Sequence, residues 1–539
     1  MARALLADPD WPMKAKEGRA DEIVKCAACG YCSEADERYE PVTCIEWPKG
    51  ALNAPSPWLL VPPCKAACPV GLDIRAYVEF IAQGHYEKAL RTIEEKIPLP
   101  GTVGRVCPHP CEEKCHRGHL DTSIAINGLK RFVADAVASR REQKVVALPK
   151  RMKGEGIAII GAGPAGLTAA VNLVKQGYRA TIFEALPIPG GMLTVGIPEY
   201  RLPKNLVQME IENIRKCGVE IRLNSRIGKD GLAIDSLWQQ GYKAILIAVG
   251  AHKSIKLGIP GEEMEGVYHG VALLRDVNLG KKILLGEKVV IVGGGNVAID
   301  AARVAQRCGA EKVFVIYRRS EEEMPAYRGE AEAAKAEGIE IQDLTSPARL
   351  MDRDGKVAKV ECVRTELGET DESGRRRPVV VKGSEFMIDA DTVVSAIGEI
   401  PDLSFLDTEK FDTTQKKTIA IDPHTMMTNI EGIFAGGDVV SGPATVIEAI
   451  AAGRKAAFSI DRYLRGERLK YEETIPRIIE IQDVDIDRFN KRERQRMSTL
   501  PREERIKGFK EIELGFTEME ALCEADRCFQ CGLFPKKRD

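Results

Sequence analysis

The cysteines are the residues of this sequence that most directly indicate chemistry. The 539-residue chain contains 15 of them, nine within residues 1–115 and three within residues 523–539. Cys217, Cys308 and Cys362 lie between these groups in helix and strand patterns, which indicates ordinary core residues. Clustered cysteines in a chain with no secretory signal indicate metal ligands or redox thiols rather than disulfides.

The first four cysteines form a complete ligand set. Their spacing is Cys-x2-Cys-x2-Cys-x11-Cys, and the residues are Cys26, Cys29, Cys32 and Cys44. The short spacings let neighbouring thiolates wrap one centre, and the remote fourth thiolate closes it. Four-thiolate zinc sites use similar spacing. The pattern favours a 4Fe-4S cluster, with zinc as the alternative.

A glycine loop at residues 161–166 predicts a dinucleotide site. The string IAIIGAGPAG carries an apolar run into Gly161, Gly163 and Gly166, and a helical pattern follows. The first glycine permits a tight turn, the second lets a pyrophosphate approach the backbone, and the third allows close helix–strand packing. Glu184 ends the next apolar run, where a ribose-binding acid is expected. The alternative is a tight turn followed by an unrelated Glu.

A second loop, VVIVGGGNVAIDAARVA, has the G-x-G-x-x-A form. Its residues are Gly293, Gly295, Asn296, Val297 and Ala298. The strand that follows ends in Arg318 and Arg319 instead of an acid. Arginine pairs with a 2′-phosphate that an acid would repel, so the pattern favours NADPH, with NADH possible. The alternative is that the two arginines form a solvated strand end.

Strands and helices must alternate to position these loops. Short apolar runs after residue 155 alternate with helical stretches, as is typical of parallel α/β units. Residues 64–145 repeat apolar residues at helical spacing, and residues 466–522 are charged and read as largely helical. The predicted fold class is α/β, with two Rossmann-like dinucleotide-binding domains preceded by a small α-helical iron–sulfur domain.

The stretch GIFAGGDVV resembles the second FAD signature of two-dinucleotide flavoproteins. By that resemblance Asp438, after Gly437, contacts FAD, and the helix after Thr445 points its N-terminal N–H groups at the flavin. Gly190 and Gly191 fit close passage by FAD, so the first loop is assigned to FAD and the second to the nicotinamide nucleotide. The predicted domains are a Cys-rich 1–50, a helical iron–sulfur 55–145, FAD-binding 150–275, NAD(P)-binding 276–400, FAD-binding 401–465 and a helical tail with a Cys-x2-Cys at 466–539.

Composition excludes several classes of protein. Lys plus Arg is 78 and Asp plus Glu is 80, a net charge of −2, which argues against nucleic acid or an anionic membrane as the main partner. The N-terminal residues show no apolar signal region, and no apolar stretch is long enough for a membrane span. A cytoplasmic location is expected.

Four strings identify a family: GIPEYRLP, GGGNVAIDAAR, YRRSEEEMPA and FAGGDVVSGPATVIEAIAAGRKAA. They resemble the small subunit of glutamate synthase, the flavin–NADPH half of dihydropyrimidine dehydrogenase and the large subunit of NADH-dependent ferredoxin:NADP oxidoreductase. The resemblance implies FAD, NADPH and 4Fe-4S clusters. The segment before Cys26 resembles the cluster region of 2,4-dienoyl-CoA reductases, with one residue fewer between the second and third cysteines. A Cys-x-x-Cys, which a thioredoxin reductase mechanism needs, is absent from the flavin and nucleotide domains.

The resemblance implies two clusters in the helical domain, yet the domain has only five cysteines. We hypothesise that Cys528 and Cys531 fold back to join Cys64 and Cys115, which leaves Cys68, Cys107 and Cys111 with a fourth ligand that is not a cysteine. Lys130 stands where one relative has Gln, and a protonated lysine has no lone pair. The alternative is a partner-shared cluster or a zinc site at the tail.

The predicted function is an electron-entry subunit that passes electrons between NADPH and a partner through FAD and two to three 4Fe-4S clusters. Hydride transfer needs no acid or base, so no catalytic residue is assigned. The chain shows no terminal catalytic domain, so one or more partner subunits and a hetero-oligomer are expected. The alternatives are a glutamate synthase small subunit and a non-enzymatic iron–sulfur adaptor with a degenerate flavin fold.

Overall fold

A computed structural model describes residues 60–138, 153–228, 231–371, 374–406, 410–469 and 477–532. The predicted ligands Cys26, Cys29, Cys32 and Cys44 lie outside these residues. The described chain divides into two compact units, of which the smaller contains residues 60–62, 477–484 and Gly532. Within the smaller unit, β1 (Leu60–Val61) pairs in parallel with a two-residue strand at Arg477–Ile478. The other elements named below belong to the larger unit.

Residues 63–138 form a helical module around one apolar core. Asp73 caps the second helix by accepting a hydrogen bond from Ala76 N at 3.2 Å, and the helix buries Ile74, Tyr77, Val78 and Ile81. Apolar residues at helical spacing thus face inward, as predicted. The helices are α1 (Pro63–Ala66), α2 (Ile74–Ala82), α3 (Tyr86–Glu94), α4 (Pro100–Val106), α5 (Pro110–Glu113) and α6 (Ile126–Ala138).

The first dinucleotide domain begins with a fully buried strand. All five residues of Gly156–Ile160 are buried, as expected for the centre of a parallel sheet. Its elements are β2 (Gly156–Ile160), α7 (Pro164–Lys175), β3 (Arg179–Phe183), α8 (Met192–Val195), α9 (Lys204–Lys216), β4 (Glu220–Arg222), α10 (Ile234–Gln239), β5 (Tyr242–Ile247) and the connecting strand β6 (Lys253–Ser254).

The second dinucleotide domain has its own parallel sheet, in the order β10-β9-β8-β15-β7, and an antiparallel sheet in which β12 pairs with β11, β13 and β14. Its elements are β7 (Val267–His269), α11 (Gly270–Asn278), β8 (Lys288–Val292), α12 (Asn296–Arg307), β9 (Lys312–Ile316), α13 (Arg328–Glu337), β10 (Glu340–Gln342), β11 (Thr345–Arg353), β12 (Lys356–Thr370), β13 (Arg376–Val380), β14 (Phe386–Asp389) and β15 (Thr392–Ser395).

The position of β7 moves one predicted boundary. This strand pairs with β15, so the second domain starts before the predicted residue 276. Three residues are too few to form a recognisable apolar run, which explains the error. The antiparallel sheet was not predicted either.

The chain then returns to the first domain. After β16 (Glu399–Ile400), which pairs with β6, come β17 (Ile433–Ala435), α14 (Asp438–Ser441) and α15 (Val446–Leu464). Strand β17 joins the first sheet, whose order is β17-β5-β2-β3-β4. The structure therefore contains the expected insertion of the second domain into the first. Helix α15 crosses α7 closely: a Cβ built on Gly453 would lie 2.2 Å from Ala165 O.

A buried ionic network joins the two dinucleotide domains. Arg201 donates to Asp300 Oδ1 and Oδ2 at 2.9 and 2.7 Å and lies 3.2 Å from Glu330 Oε1. Asp300 is on α12 and Glu330 on α13. Burial of these charges is tolerated because each is paired and hydrogen-bonded.

The C-terminal segment, residues 485–531, corrects the prediction of a largely helical tail. The segment has two short helices, α16 (Arg502–Arg505) and α17 (Glu518–Ala525), and a strand β18 (Arg477–Ile478) precedes it in the smaller unit. Most of the remainder has no regular secondary structure, and its groups bind partners both within the segment and far from it in sequence. Arg494 pairs with Glu112, and Gln495 N donates to Glu524 Oε2 at 2.8 Å. The charged residues of this segment, whose density suggested a helix, make tertiary contacts instead.

Candidate functional site

The thiols of the larger unit gather in two groups. Burial raises the pKa of Cys64 well above its usual value, and the thiols of Cys528, Cys115 and Cys531 raise it further because they lie close by. Burial raises the pKa of Cys111, which has Cys107 and Cys68 as neighbours. The Cys111 thiol also raises the pKa of Cys64, so the two groups lie near each other.

Helix α17 brings the tail cysteines to the helical module. It packs against α2 and α6, and Arg75 donates to Cys531 O at 2.8 Å. Burial raises the pKa values of Cys528 and Cys531 to about 12. Such thiols are costly to ionise unless a metal centre accepts the thiolate.

The geometry of the thiols bears on the kind of centre. Among the residues described, no three His, Cys, Asp or Glu side chains are arranged to hold a single metal ion. A zinc ion would require thiolates about 2.3 Å from one point. Each thiolate of a cubane binds a different iron atom, so its ligands stand further apart.

Lys130 lies beside the second thiol group, as the sequence comparison indicated. It is 4% exposed on α6, and its charge acts to lower the pKa of Cys111. A buried cation near a thiolate stabilises the negative charge without supplying a ligand.

The first glycine loop has the geometry of a phosphate cradle. Gly161 has φ 107°, and a Cβ there would lie 2.5 Å from Ala248 O; one on Gly166 would lie 2.1 Å from Gly161 O. A Cβ on Gly163 would instead meet nothing within 4 Å, although its φ is −78°. No contact in the described protein explains that glycine, so the open space fits a bound pyrophosphate.

Glu184 follows β3 at the edge of this loop. It is 7% exposed and accepts from Ala162 N and Leu186 N, each at 2.8 Å. Burial raises the pKa of its carboxyl group. The glycines of PGGM lie beside the loop: Gly190 N donates to Ala162 O at 2.9 Å, and a Cβ on Gly191 would lie 3.0 Å from Gly163 Cα.

The second glycine loop also has a first glycine at positive φ and a middle glycine beside open space. Gly293 has φ 143°, and its Cβ would lie 2.1 Å from Ala396 O, whereas a Cβ on Gly295 would meet nothing within 4 Å. Asn296, Val297 and Ala298 begin α12. The space beside Gly295 fits the pyrophosphate of a second nucleotide.

The two arginines after β9 differ in their surroundings. Arg319 is 4% exposed and is engaged within the domain, since it donates to Asp371 Oδ2 at 2.6 Å and to Arg376 O at 2.7 Å. The Arg318 side chain is exposed. Only Arg318 is therefore available to a 2′-phosphate without breaking an ion pair.

The third glycine stretch leads into a well-formed helix N-terminus. Thr445 caps the 19-residue α15 and forms a reciprocal capping box with Glu448. Gly437 has φ 79°, and Asp438 begins α14. Burial raises the pKa of Asp438 to about 7.

One cavity of about 980 Å³ connects these parts. Its lining includes Gly161, Gly163, Glu184 and Gly191 of the first domain, Gly437, Asp438 and Thr445 of the third stretch, Asn296 and Val297 of the second loop, and Cys107 of the helical module. The cavity thus borders both nucleotide loops and a candidate cluster ligand. These residues fit the binding of FAD and a nicotinamide nucleotide. Cys107, of the second thiol group, lies in the lining of the same cavity.

Sequence analysis missed several residues of this cavity. The missed residues that contribute to its lining are His109, Tyr327 and residues 494–497 of the C-terminal segment. The CPHPC string contains His109 and the EEEMPAYR string contains Tyr327. Neither string carries a known local signal, and only the tertiary fold brings the two together.

Comparison with known proteins decides the family. The model described as pyridine nucleotide-disulphide oxidoreductase matches residues 155–453, which is more than half of the chain. The chain belongs to the pyridine nucleotide-disulphide oxidoreductase family. The model described as dihydropyrimidine dehydrogenase domain II, 4Fe-4S cluster, matches residues 60–142. These matches confirm the expectation of FAD, a nicotinamide nucleotide and 4Fe-4S clusters, and the predicted resemblance to glutamate synthase-type proteins.

Three curated relatives are similar to this chain over at least three quarters of its length. The NADP(+)-dependent formate dehydrogenase subunit beta of Moorella thermoacetica is 46% identical, over 87% of this chain and 70% of its own length. The NADPH-Fe(3+) oxidoreductase subunit beta of Geobacter sulfurreducens is 40% identical, over 87% and 75%. The glutamate synthase [NADPH] small chain of Escherichia coli is 34% identical, over 75% and 89%. All three names describe one subunit of a larger assembly.

Among solved structures, FprA of Mycobacterium tuberculosis has a TM-score of 0.50 at 20% identity, covering 58% of this chain and 86% of its own. This likeness supports the fold of a pyridine nucleotide-disulphide oxidoreductase. The segment matched to that family contains Cys217, Cys308 and Cys362 and no Cys-x-x-Cys pair. None of the helices in the described parts of the chain is long and apolar enough to cross a membrane.

Proposed function

We propose that this chain is the electron-entry subunit of a larger oxidoreductase, linked to NADPH. The observation that carries the proposal is the single cavity bordered by Gly163, Asn296 and Cys107. Both glycine loops and Cys107, a proposed cluster ligand, border this one space, which supports the proposal. When bound, FAD accepts hydride from NADPH and exchanges single electrons, and 4Fe-4S clusters relay those electrons.

The residues of the chain have positioning roles in this proposal. Gly161, Gly163, Gly166, Gly190 and Gly191 admit the pyrophosphate of FAD, and Glu184 lies where its ribose is expected. The N-terminus of α15 faces the cavity, where its N–H groups favour negative charge on reduced flavin. Gly293, Gly295 and Ala298 shape the NADPH loop, and Arg318 pairs with the 2′-phosphate.

We infer that the two thiol groups hold two 4Fe-4S clusters. Cys64, Cys115, Cys528 and Cys531 bind one, and Cys68, Cys107 and Cys111 bind three irons of the other. Cys107 lines the cavity in which FAD would bind, so the cluster that Cys107 would help to hold is the one that would exchange electrons with the flavin. Cys26, Cys29, Cys32 and Cys44 remain a predicted third cluster.

The relatives suggest what the partner does. The 46% identical relative is named for formate dehydrogenase with NADP(+), so our first candidate partner is a formate-oxidising subunit that drives electrons toward NADP+. A glutamate synthase large subunit is the second candidate, on the 34% identical small chain. A cytoplasmic location stays a prediction. The partner can be identified by purifying the tagged chain and assaying the complex with formate and with glutamine plus 2-oxoglutarate.

The assignment of the tail cysteines has a direct test. In the double variant Cys528→Ser, Cys531→Ser, we expect the iron content to fall by about four atoms per chain, while bound FAD is still reduced by NADPH. Iron analysis and anaerobic flavin bleaching measure the two quantities. The variant Cys523→Ser, at an exposed cysteine in the same segment, is the matched control. Unchanged iron in the double variant would contradict the proposed ligand set.

A further inference from the structure

The residues before α13 are hydrogen-bonded to the second glycine loop. Ala326 N donates to Gly294 O at 3.0 Å, and Tyr327 N donates to Asn296 Oδ1 at 2.8 Å. Both acceptors belong to the loop beside which the nucleotide phosphates would lie. A nucleotide that orders or displaces this loop therefore acts directly on the backbone of Tyr327.

The side chain of Tyr327 reaches from the second dinucleotide domain to the helical module. Its hydroxyl lies 2.9 Å from Nε2 of His109, and the two rings meet edge to face with centroids 5.4 Å apart. Both residues line the shared cavity. This contact joins the nucleotide domain to the loop between Cys107 and Cys111.

His109 in turn contacts a candidate cluster ligand. Its backbone has φ 45°, an uncommon conformation for a residue other than glycine. In that conformation its N–H donates to Cys107 Sγ at 3.4 Å. Hydrogen bonds to cysteine sulfur are among the features that set the potential of an iron–sulfur cluster.

We propose that Tyr327 is a positioning residue that couples nucleotide occupancy of the second glycine loop to the potential of the cluster at Cys107. The route runs from Asn296 through the backbone and side chain of Tyr327 to His109, and from the His109 N–H to the Cys107 sulfur. The inference deepens the proposed function and rests on it. Coupling of this kind is reciprocal. The protein therefore binds the nucleotide with one affinity when the cluster is reduced and with another when it is oxidised.

The test uses adenosine 2′,5′-bisphosphate, which fits the adenosine half of the NADPH site and has no nicotinamide to accept electrons. Cluster potentials are measured by anaerobic spectroelectrochemistry with and without this probe. In the wild-type protein we expect the probe to shift the potential of one cluster. A tenfold difference in affinity between the two redox states corresponds to about 59 mV for one electron.

In Tyr327→Phe, we expect the probe still to bind, because the backbone donors of residues 326 and 327 are kept, and the shift to disappear. His109→Asn should behave in the same way, since Asn tolerates positive φ and keeps the donor to Cys107. Tyr268→Phe, on β7 of the same domain, is the matched control and should keep the shift. A purely structural role for Tyr327 would not remove a ligand-dependent difference.

A wild-type protein that binds the probe without any shift would overturn the inference, and so would a shift that persists in Tyr327→Phe. If His109→Asn loses iron, the result for Tyr327→Phe decides alone. A wild-type protein without iron, or one that does not bind the probe, would contradict the proposed function itself, and iron analysis and probe titration distinguish these failures.

Discussion

At the scale of single residues, Gly163 and Gly295 are the middle glycines of the two loops. Substitutions at these positions should affect cofactor binding without affecting folding. A Cβ on Gly163 or Gly295 would meet no protein atom within 4 Å, and both residues have negative φ. A methyl group there is compatible with the fold but occupies the space predicted for a pyrophosphate. Gly161, Gly166 and Gly293, in contrast, are required by the fold because a Cβ would collide with backbone oxygen atoms.

We therefore expect Gly163→Ala to fold normally and to lose FAD, with NADPH binding retained, and Gly295→Ala to lose NADPH binding with FAD retained. Each affinity should fall at least about tenfold, because lost phosphate hydrogen bonds are worth about 1.5–3 kcal/mol. Flavin content and fluorescence titration with NADPH measure the two effects. Gly154→Ala, at an exposed and unobstructed glycine, is the control. Full FAD content in Gly163→Ala would refute the placement of the pyrophosphate.

Arg318 decides the choice of nucleotide in this proposal. We expect Arg318→Ala to weaken NADPH binding about 10- to 100-fold, the usual cost of one charge-assisted phosphate contact, and to leave NADH binding unchanged. Dissociation constants for both nucleotides check this. Arg377→Ala removes an exposed arginine from β13 of the same domain and should change neither constant. Equal losses of affinity for the two nucleotides would show that Arg318 does not recognise the phosphate.

At the scale of elements, Asp121 attaches the C-terminal segment to the helical module. It accepts from Arg117 Nε at 2.8 Å, from Arg527 Nη2 at 2.9 Å and from Arg492 N at 3.0 Å. Burial alone would raise the pKa of Asp121, but these hydrogen bonds, first of all those from Arg117, hold it well below its usual range. The carboxylate neutralises two arginines that are almost fully buried.

We expect Asp121→Asn to destabilise the protein by about 3–5 kcal/mol at pH 7, because the buried guanidinium group of Arg117 loses its counter-charge, while Arg527 keeps its ion pair with Glu524. The folded pKa lies below the unfolded value, so this stabilisation is present above about pH 4 and is lost as pH falls further. Wild type and variant should therefore differ in melting temperature at pH 7 and converge in acid. A difference that is independent of pH would show that the charge of Asp121 is not the cause.

The elements also show where sequence reasoning succeeds and where it fails. The glycine loops and the paired Rossmann-like sheets were predictable because a turn residue, an apolar run and a helix pattern all lie within about thirty residues. Residues 485–516 were mispredicted because residues such as Arg494, which pairs with Glu112, satisfy partners that lie hundreds of residues away. Helix propensity is a local property of the sequence and does not depend on such contacts. The same holds for Tyr327 and His109.

At the scale of the whole molecule, the second dinucleotide domain is held to the rest of the larger unit at several points. Arg201 binds Asp300 and Glu330. The C-terminal segment adds contacts: Arg307 donates to Gly508 O at 3.2 Å, and Arg502 donates to Glu337 O at 3.1 Å. A fixed domain keeps the second glycine loop beside the shared cavity, which suits transfer between nucleotide and flavin in one arrangement.

The N-terminal residues supply the last prediction. The second thiol group already borders the flavin cavity, so the chemistry there does not require a third cluster. We expect deletion of residues 1–50 to leave NADPH-dependent reduction of FAD unchanged and to abolish electron delivery to the partner subunit. Anaerobic stopped-flow measurement of flavin reduction and a coupled assay of the complex separate the two steps. Delivery at the full rate without residues 1–50 would mean that electrons leave from another cluster.

The fold-back of Cys528 and Cys531 also affects how the protein is made. Their proposed co-ligands, Cys64 and Cys115, emerge from the ribosome more than four hundred residues earlier. With the proposed ligands, this cluster could not be completed until residue 531 had been synthesised, so interrupted synthesis would yield a protein that lacks it. With the proposed ligands, the iron content would therefore report whether the polypeptide has been translated through residue 531.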